Sequence, residues 1–174
     1  VAARAIHKYG KVIINDISAG ELDPLIVDVA AEHDVPYVAM HMKGDPRTMQ
    51  SMTDYRDIVA EVVDYFRERT AQLRERGVRR IVVDPGFGFA KTLEQNYELL
   101  RGLHRLAELG YPVLAGVSRK SMIYKLIGTT PAEALNGTTA LHWECLRQGA
   151  VILRAHDTRE AVEVVRMFDQ FMQA

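Results

Sequence analysis

Cysteine is almost missing: the 174 residues hold one, Cys145, so no internal disulfide can form and a reducing cytoplasm is the expected setting. Charge of one sign is missing too. The 22 Lys and Arg residues face 23 Asp and Glu, leaving −1 overall, and no basic block exceeds an Arg-Arg or Arg-Lys pair. That excludes the footprint of a nucleic-acid or anionic-membrane binder, so neither is expected as a partner. No apolar run approaches the ~18 to 20 residues of a membrane span, and the first residues show no secretion signal. No linker-like Pro/Gly/Ser stretch interrupts the chain, which reads as one globular domain over residues 1–174. The six histidines show no H-E-x-x-H or comparable ligand spacing. Gly86-Phe87-Gly88-Phe89-Ala90-Lys91 fits neither a dinucleotide fingerprint nor a Walker loop.

What is present is a regular alternation. Short apolar runs at Lys11–Ile17, Pro36–His41, Arg79–Asp84, Tyr111–Val117 and Ala150–Ala155 read as strands buried on both faces. Each is followed by a segment of helical period. Leu25, Val29 and Ala30 mark the first; Ile58, Val62, Phe66 and Leu73 mark the second, expected from about Asp54 to Arg76. Leu99, Leu103 and Leu106 mark the third, Leu135, Leu141, Cys145 and Leu146 the fourth, and Val162, Val165 and Phe168 the last. Three of these end at Gly77, Gly110 and Gly149, where glycine suits a helix C-terminus. Strand, helix, strand in strict order implies a parallel sheet with helical crossovers.

Such units fit an open doubly wound sheet or part of a (β/α)₈ TIM barrel. All five strand ends carry polar or turn-forming residues, and a barrel brings all its strand ends to one mouth, so the barrel is favoured. A complete barrel takes about 250 residues, so roughly three strands are wanting here. Val1–Gly10 reads as the tail of a helix with no capping residue before it, and the chain is expected to begin inside a larger domain.

The strand ends hold the candidate chemistry, each with a plain structural alternative. Arg154 and His156, two apart on one strand, share a face and suit an oxyanion such as phosphate or diphosphate; the alternative is an Arg paired with Asp157. Asp84 precedes the glycine-hinged Pro85–Phe89 loop and can accept hydrogen bonds from an amino-heterocycle, or cap that loop's own amides. Phe87 and Phe89 can stack on a planar ligand or pin the loop. Asn15 shares a face with Ile13 and Ile17, where a buried amide demands partners, whether ligand or neighbouring strand. Asp16 points the other way, towards a capping role. Gly116 admits a close approach to the backbone, and Lys120 can neutralise an anion, donate to a ring nitrogen, or simply be solvated at a helix start. Met40 and Met42 can lie against a flat ring or fill the core.

Together, Ile13–Ile17, Met40–Gln50, Asp84–Phe89, Gly116–Ser121 and Ile152–Asp157 resemble bacterial dihydropteroate synthase, in that family's order and over essentially the whole chain. The resemblance implies a TIM barrel of which this chain supplies about strands 4 to 8. It also implies an enzyme joining 4-aminobenzoate to 6-hydroxymethyl-7,8-dihydropterin diphosphate with release of diphosphate. By resemblance, Asn15, Asp84 and Lys120 hold the pterin, with Met40 and Gly116 lining its slot. Arg154 and His156 hold the diphosphate, while Lys120, Ser121 and Phe89 shape the aminobenzoate site. A Mg²⁺ cofactor is implied, its ligand lying in the family's N-terminal part rather than in this chain, and a cytoplasmic homodimer is implied through the late helices. Because those N-terminal segments are not in the sequence, the chain alone is expected to lack synthase activity. The rivals are a corrinoid-linked methyltetrahydrofolate methyltransferase of the same fold and a non-catalytic dimerisation fragment. The methyltransferase releases no diphosphate and should lack both the Ser-Arg-Lys-Ser lysine and the Arg-x-His pair.

Overall fold

The computed structural model describes residues 1–10, 12–45 and 47–173; Lys11, at the start of the first expected strand, and Pro46, within the Met40–Gln50 motif, lie outside the described residues. In chain order, α1 (Ala2–Tyr9) precedes β1 (Ile14–Asp16), α2 (Leu25–Glu32), β2 (Tyr37–Met40), α3 (Ile58–Glu75) and β3 (Ile81–Asp84). Then follow α4 (Leu93–Arg101), α5 (His104–Ala107), β4 (Leu114–Ala115), α6 (Ser121–Tyr124), α7 (Leu135–Arg147), β5 (Ile152–Leu153) and α8 (Thr158–Gln173). All five expected strands are present but shorter than their apolar runs.

The strands pair in parallel as β1-β2-β3 and β4-β5. A parallel bridge between Val83 and Val113 joins the two groups, with the Val83 N–H donating to the Pro112 carbonyl at 3.0 Å. Spatial order therefore follows chain order from β1 to β5. A doubly wound sheet reverses at a switch point; an unreversed order is that of a barrel wall.

Side chains alternate across this wall. Ile14, Tyr37, Ala39, Ile81, Val83, Val113 and Ala115 belong to one large core under the helices, with Val27 of α2, Phe66 of α3, and Leu99, Leu103 and Leu106 of the α4–α5 region. The opposite face holds only the small cluster Val38, Val82 and Leu114. Burial on both faces holds for β2, β3 and β4. The outer strands correct the expectation: Asn15 of β1 and Ile152 of β5 are exposed, because no described residues cover the inner face beside them.

Two helix boundaries also differ from the periodicity. The second helix starts at Ile58, because Asp57 caps it by accepting the Ala60 N–H at 2.9 Å. The third is broken into α4 and α5 at Gly102, where a Cβ would come within 2.7 Å of both methyl groups of Val59 on α3. The chain bends there to keep Leu99, Leu103 and Leu106 in the core.

Candidate functional site

The inner face is a cavity of about 600 Å³ whose walls include Asn15, Val38, Val82, Leu114, Ile152 and Arg154. Met40 and Asp84 are register partners, each two residues beyond a cavity-wall valine on its own strand. Gly116 lies two beyond Leu114 and Arg154 two beyond Ile152. Strand alternation therefore puts Met40, Asp84, Gly116 and Arg154 on the inner face above an apolar floor, with Asn15 on the same face but level with its register partner Val38.

Asp84 is buried, and its Oδ1 accepts the Gly86 N–H at 2.8 Å. The loop-capping role is thus real, but it occupies one lone-pair site of a carboxylate that has about four. Burial pushes its carboxyl above the usual range, opposed by the Gly86 hydrogen bond and by the charges of Lys120, Lys91 and Arg154. Lys120 is half-buried and donates to the Phe87 carbonyl, with Nζ 5.0 Å from the centroid of the Phe89 ring. Burial lowers its ammonium to about 8, against the pull of Asp84. A Cβ added at Gly116 would lie 3.8 Å from Lys120 Nζ and 3.9 Å from two Arg154 carbons, so this glycine sits where the two cations converge.

The loop after Asp84 is set by glycine. Gly86 has φ +69°, and a Cβ there would collide with the His41 carbonyl, so no other residue fits. Phe87 is fully buried and pins the loop, whereas Phe89 remains partly exposed beside Lys120. Ser121 opens α6 directly after Lys120.

Three expectations need correction. Arg154 and His156 do not share a strand, because β5 ends at Leu153. The backbone N–H of His156 instead donates to Ser118 Oγ at 3.1 Å, with His156 Nδ1 3.0 Å from the same oxygen. Asp157 does not pair with Arg154 either. Arg119, itself at φ +52°, takes both Asp157 oxygens at 2.8 Å and holds that carboxyl below its ordinary value, which leaves Arg154 without an ion pair among the described residues. Asn15 is exposed rather than a buried amide in need of a partner. Methionines 40 and 42 are both buried. Asp16 behaves as expected, accepting from Ser18, Gly20 and Tyr37 to shape the loop after β1.

Sequence reasoning missed Lys91. Its Nζ is buried against His41 Nδ1 (3.1 Å), the Gly86 carbonyl (3.1 Å) and the Phe89 carbonyl (2.9 Å). Burial lowers its ammonium to about 7, with Asp84 opposing. His41 is driven well below its usual value by burial and the neighbouring Lys91 and Lys43. Asn96 was missed as well; its Oδ1 accepts the Gly88 N–H at 2.6 Å. The signal for both was a polar residue just past a glycine-rich loop, which local pattern cannot separate from a solvated one.

The site thus offers a carboxylate with free acceptor capacity, two converging cations, an aromatic ring and an apolar floor. It can hold a flat, hydrogen-bonding ring with an anion at its edge. Among the described residues no group of three His, Cys, Asp or Glu side chains is placed to hold a metal ion. No helix among them is long and apolar enough to cross a membrane.

Residues 1–156 match the family described as pterin binding enzyme. Among curated proteins, the chain is 41% identical over 170 residues to dihydropteroate synthase of Synechocystis sp., covering 96% of this chain and 59% of that protein. It spans about three-fifths of the length of such relatives. Two solved structures of Thermus thermophilus dihydropteroate synthase are each 41% identical. One, in complex with 6HMPPP, has a TM-score of 0.92 and is covered to 68% by this chain. The other, in complex with 4-aminobenzoate, has a TM-score of 0.91 and is covered to 66%; both cover 98% of this chain.

Proposed function

Because this chain belongs to the pterin-binding enzyme family, we propose that it is the substrate-holding part of a dihydropteroate synthase. The reaction condenses 4-aminobenzoate with 6-hydroxymethyl-7,8-dihydropterin diphosphate. The reading places residues 1–174 in one pterin-binding domain, with β1 to β5 standing for strands 4 to 8 of a (β/α)₈ barrel. The observation that carries it is Asp84, a buried carboxylate with spare acceptor capacity, set between Lys120 and Arg154 over an apolar cavity.

In this reading Asp84 accepts the N–H groups of the amino-pyrimidine edge, Asn15 and Lys120 meet the remaining ring heteroatoms, and Met40 and Gly116 bound the slot. Arg154 and His156 hold the diphosphate. The carbon–oxygen bond breaks with its electron pair leaving on diphosphate. The resulting cation is delocalised into the pterin, and the arylamine nitrogen forms the new bond and loses a proton. Lys120, Ser121 and Phe89 hold the arylamine. The largest contribution of the protein is stabilisation of the departing anion, where removing one preorganised donor costs ~3 kcal/mol in barrier.

The Mg²⁺ implied by resemblance is proposed to accompany the diphosphate. Among the described residues no group of His, Cys, Asp or Glu side chains forms a ligand set for it. A cytoplasmic homodimer belongs to the same proposal, supported by the buried lone Cys145 and by exposed Val162, Met167, Phe171 and Met172 on α8. The complete condensation is assigned to a closed barrel. A corrinoid-linked methyltransferase is disfavoured by an Arg154 that has no ion pair among the described residues and so suits an anion. An inert dimerisation fragment is disfavoured by the convergence of Asp84, Lys120 and Arg154.

Calorimetric titration with the dihydropterin diphosphate and with the same pterin lacking diphosphate tests the reading. Saturable one-to-one binding, stronger for the diphosphate, is expected. Absence of binding to both would overturn it.

A further inference from the structure

We infer that Lys91 is a positioning residue for the proposed pterin site: its buried Nζ fixes the 85–90 loop in the shape that brings the Gly86 N–H to Asp84 and the Phe87 carbonyl to Lys120. The inference rests on the reading above and deepens it.

Three residues of this loop, Gly86 (φ +69°), Gly88 (φ +80°) and Ala90 (φ +51°), occupy the left-handed region within a span of five. For Ala90, which has a Cβ, that conformation is costly and persists only where the surroundings over-determine it. Lys91 supplies that determination from below. Its Nζ lies within hydrogen-bond distance of the Gly86 and Phe89 carbonyls and of His41 Nδ1. With those carbonyls held by Lys91, the Gly86 N–H meets Asp84 Oδ1 and the Phe87 carbonyl accepts from Lys120. Asn96 secures the other flank by accepting the Gly88 N–H. Lys91 is buried with its Nζ directed at two carbonyls of the loop and at His41, so it acts on a ligand through the loop.

Lys91→Met removes the donors at nearly constant volume. In ¹⁵N-resolved NMR spectra of the ligand-free protein, the Gly86 and Gly88 amide signals should move. Affinity for the dihydropterin diphosphate should fall at least tenfold. Leu106→Val, a loss of core packing in α5, should leave those signals in place and affinity within twofold. Unmoved Gly86 and Gly88 signals, or unchanged affinity in a folded Lys91→Met protein, would overturn the inference. Should that variant not fold, the wild-type protein decides: the Lys91 Nζ protons should exchange with water far more slowly than those of Lys8 and Lys125, and equal rates would overturn the inference. If the wild type binds no pterin, the functional reading fails, while the NMR measurements still judge the loop.

Discussion

The two faces of the same five strands obey different rules. On the helix-covered face, Ile14, Ala39, Ile81, Val83 and Ala115 are buried and packing accounts for each, while buried Tyr37 adds a hydrogen bond to Asp16. On the inner face, one residue away along each strand, Asn15, Met40, Asp84, Gly116 and Arg154 differ in size and charge and satisfy no common packing rule. One face specifies the wall, and the other is what the wall is for. Substitutions should accordingly split into those that change stability and those that change binding.

The largest expected effect is on the first face. Phe66→Ala, at a fully buried side chain of α3, should cost ~3 to 5 kcal/mol in urea unfolding, while pterin affinity of the remaining folded protein stays within a few-fold. Asp84→Ala should do the reverse. Affinity for either pterin ligand should fall ~100-fold or more, about 3 kcal/mol, as a charged acceptor is lost. Its unfolding midpoint should hold or rise, because burial already disfavours this carboxylate. Equal loss of stability in both variants would erase the distinction between the faces. Arg154→Ala should separate the ligands, weakening the diphosphate form about tenfold more than the bare pterin, roughly 1.4 kcal/mol by titration calorimetry.

A further effect concerns pH. Lys91 titrates at about 7 in the folded protein and near 10.4 when unfolded. Between those values the unfolded chain binds a proton that the folded one does not, so stability from this group rises as pH climbs from 7 towards 10.4 and is lost as pH falls back towards 7, with no further loss below it. The gain is at most about 1.4 kcal/mol per pH unit. Urea midpoints measured from pH 7 to 9 should climb more steeply in the wild type than in Lys91→Met; identical slopes would remove the buried amine from the account.

Much of the fold was legible because it depends on local repetition. Five apolar runs alternating with helical segments, and glycines at Gly77, Gly110 and Gly149, carry strand order and helix ends without long-range information. The break at Gly102 was not legible, because its cause is Val59, far away in sequence. The same limit governs the site. Asp84 and its loop, Lys120 and Arg154 stood out by type and position at strand ends. That Asp157 belongs to Arg119, that His156 rests on Ser118 and that Lys91 turns inward beneath its own loop to reach His41 are contacts across 38, 38 and 50 residues. No spacing rule reaches that far. The exposure of Asn15 was missed for a different reason: alternation tells which residues share a face but not whether anything covers that face.

The account depends on the inner face being where a pterin lies, and an NMR titration with dihydropterin diphosphate tests this most directly. The backbone amides of Asn15, Gly86, Gly88 and Gly116 should shift together and saturate at one ligand per chain, while those of Gly77, Gly110 and Gly149 at the helix ends stay fixed. Shifts confined to the helix-end glycines, or none at any of these seven positions, would contradict it.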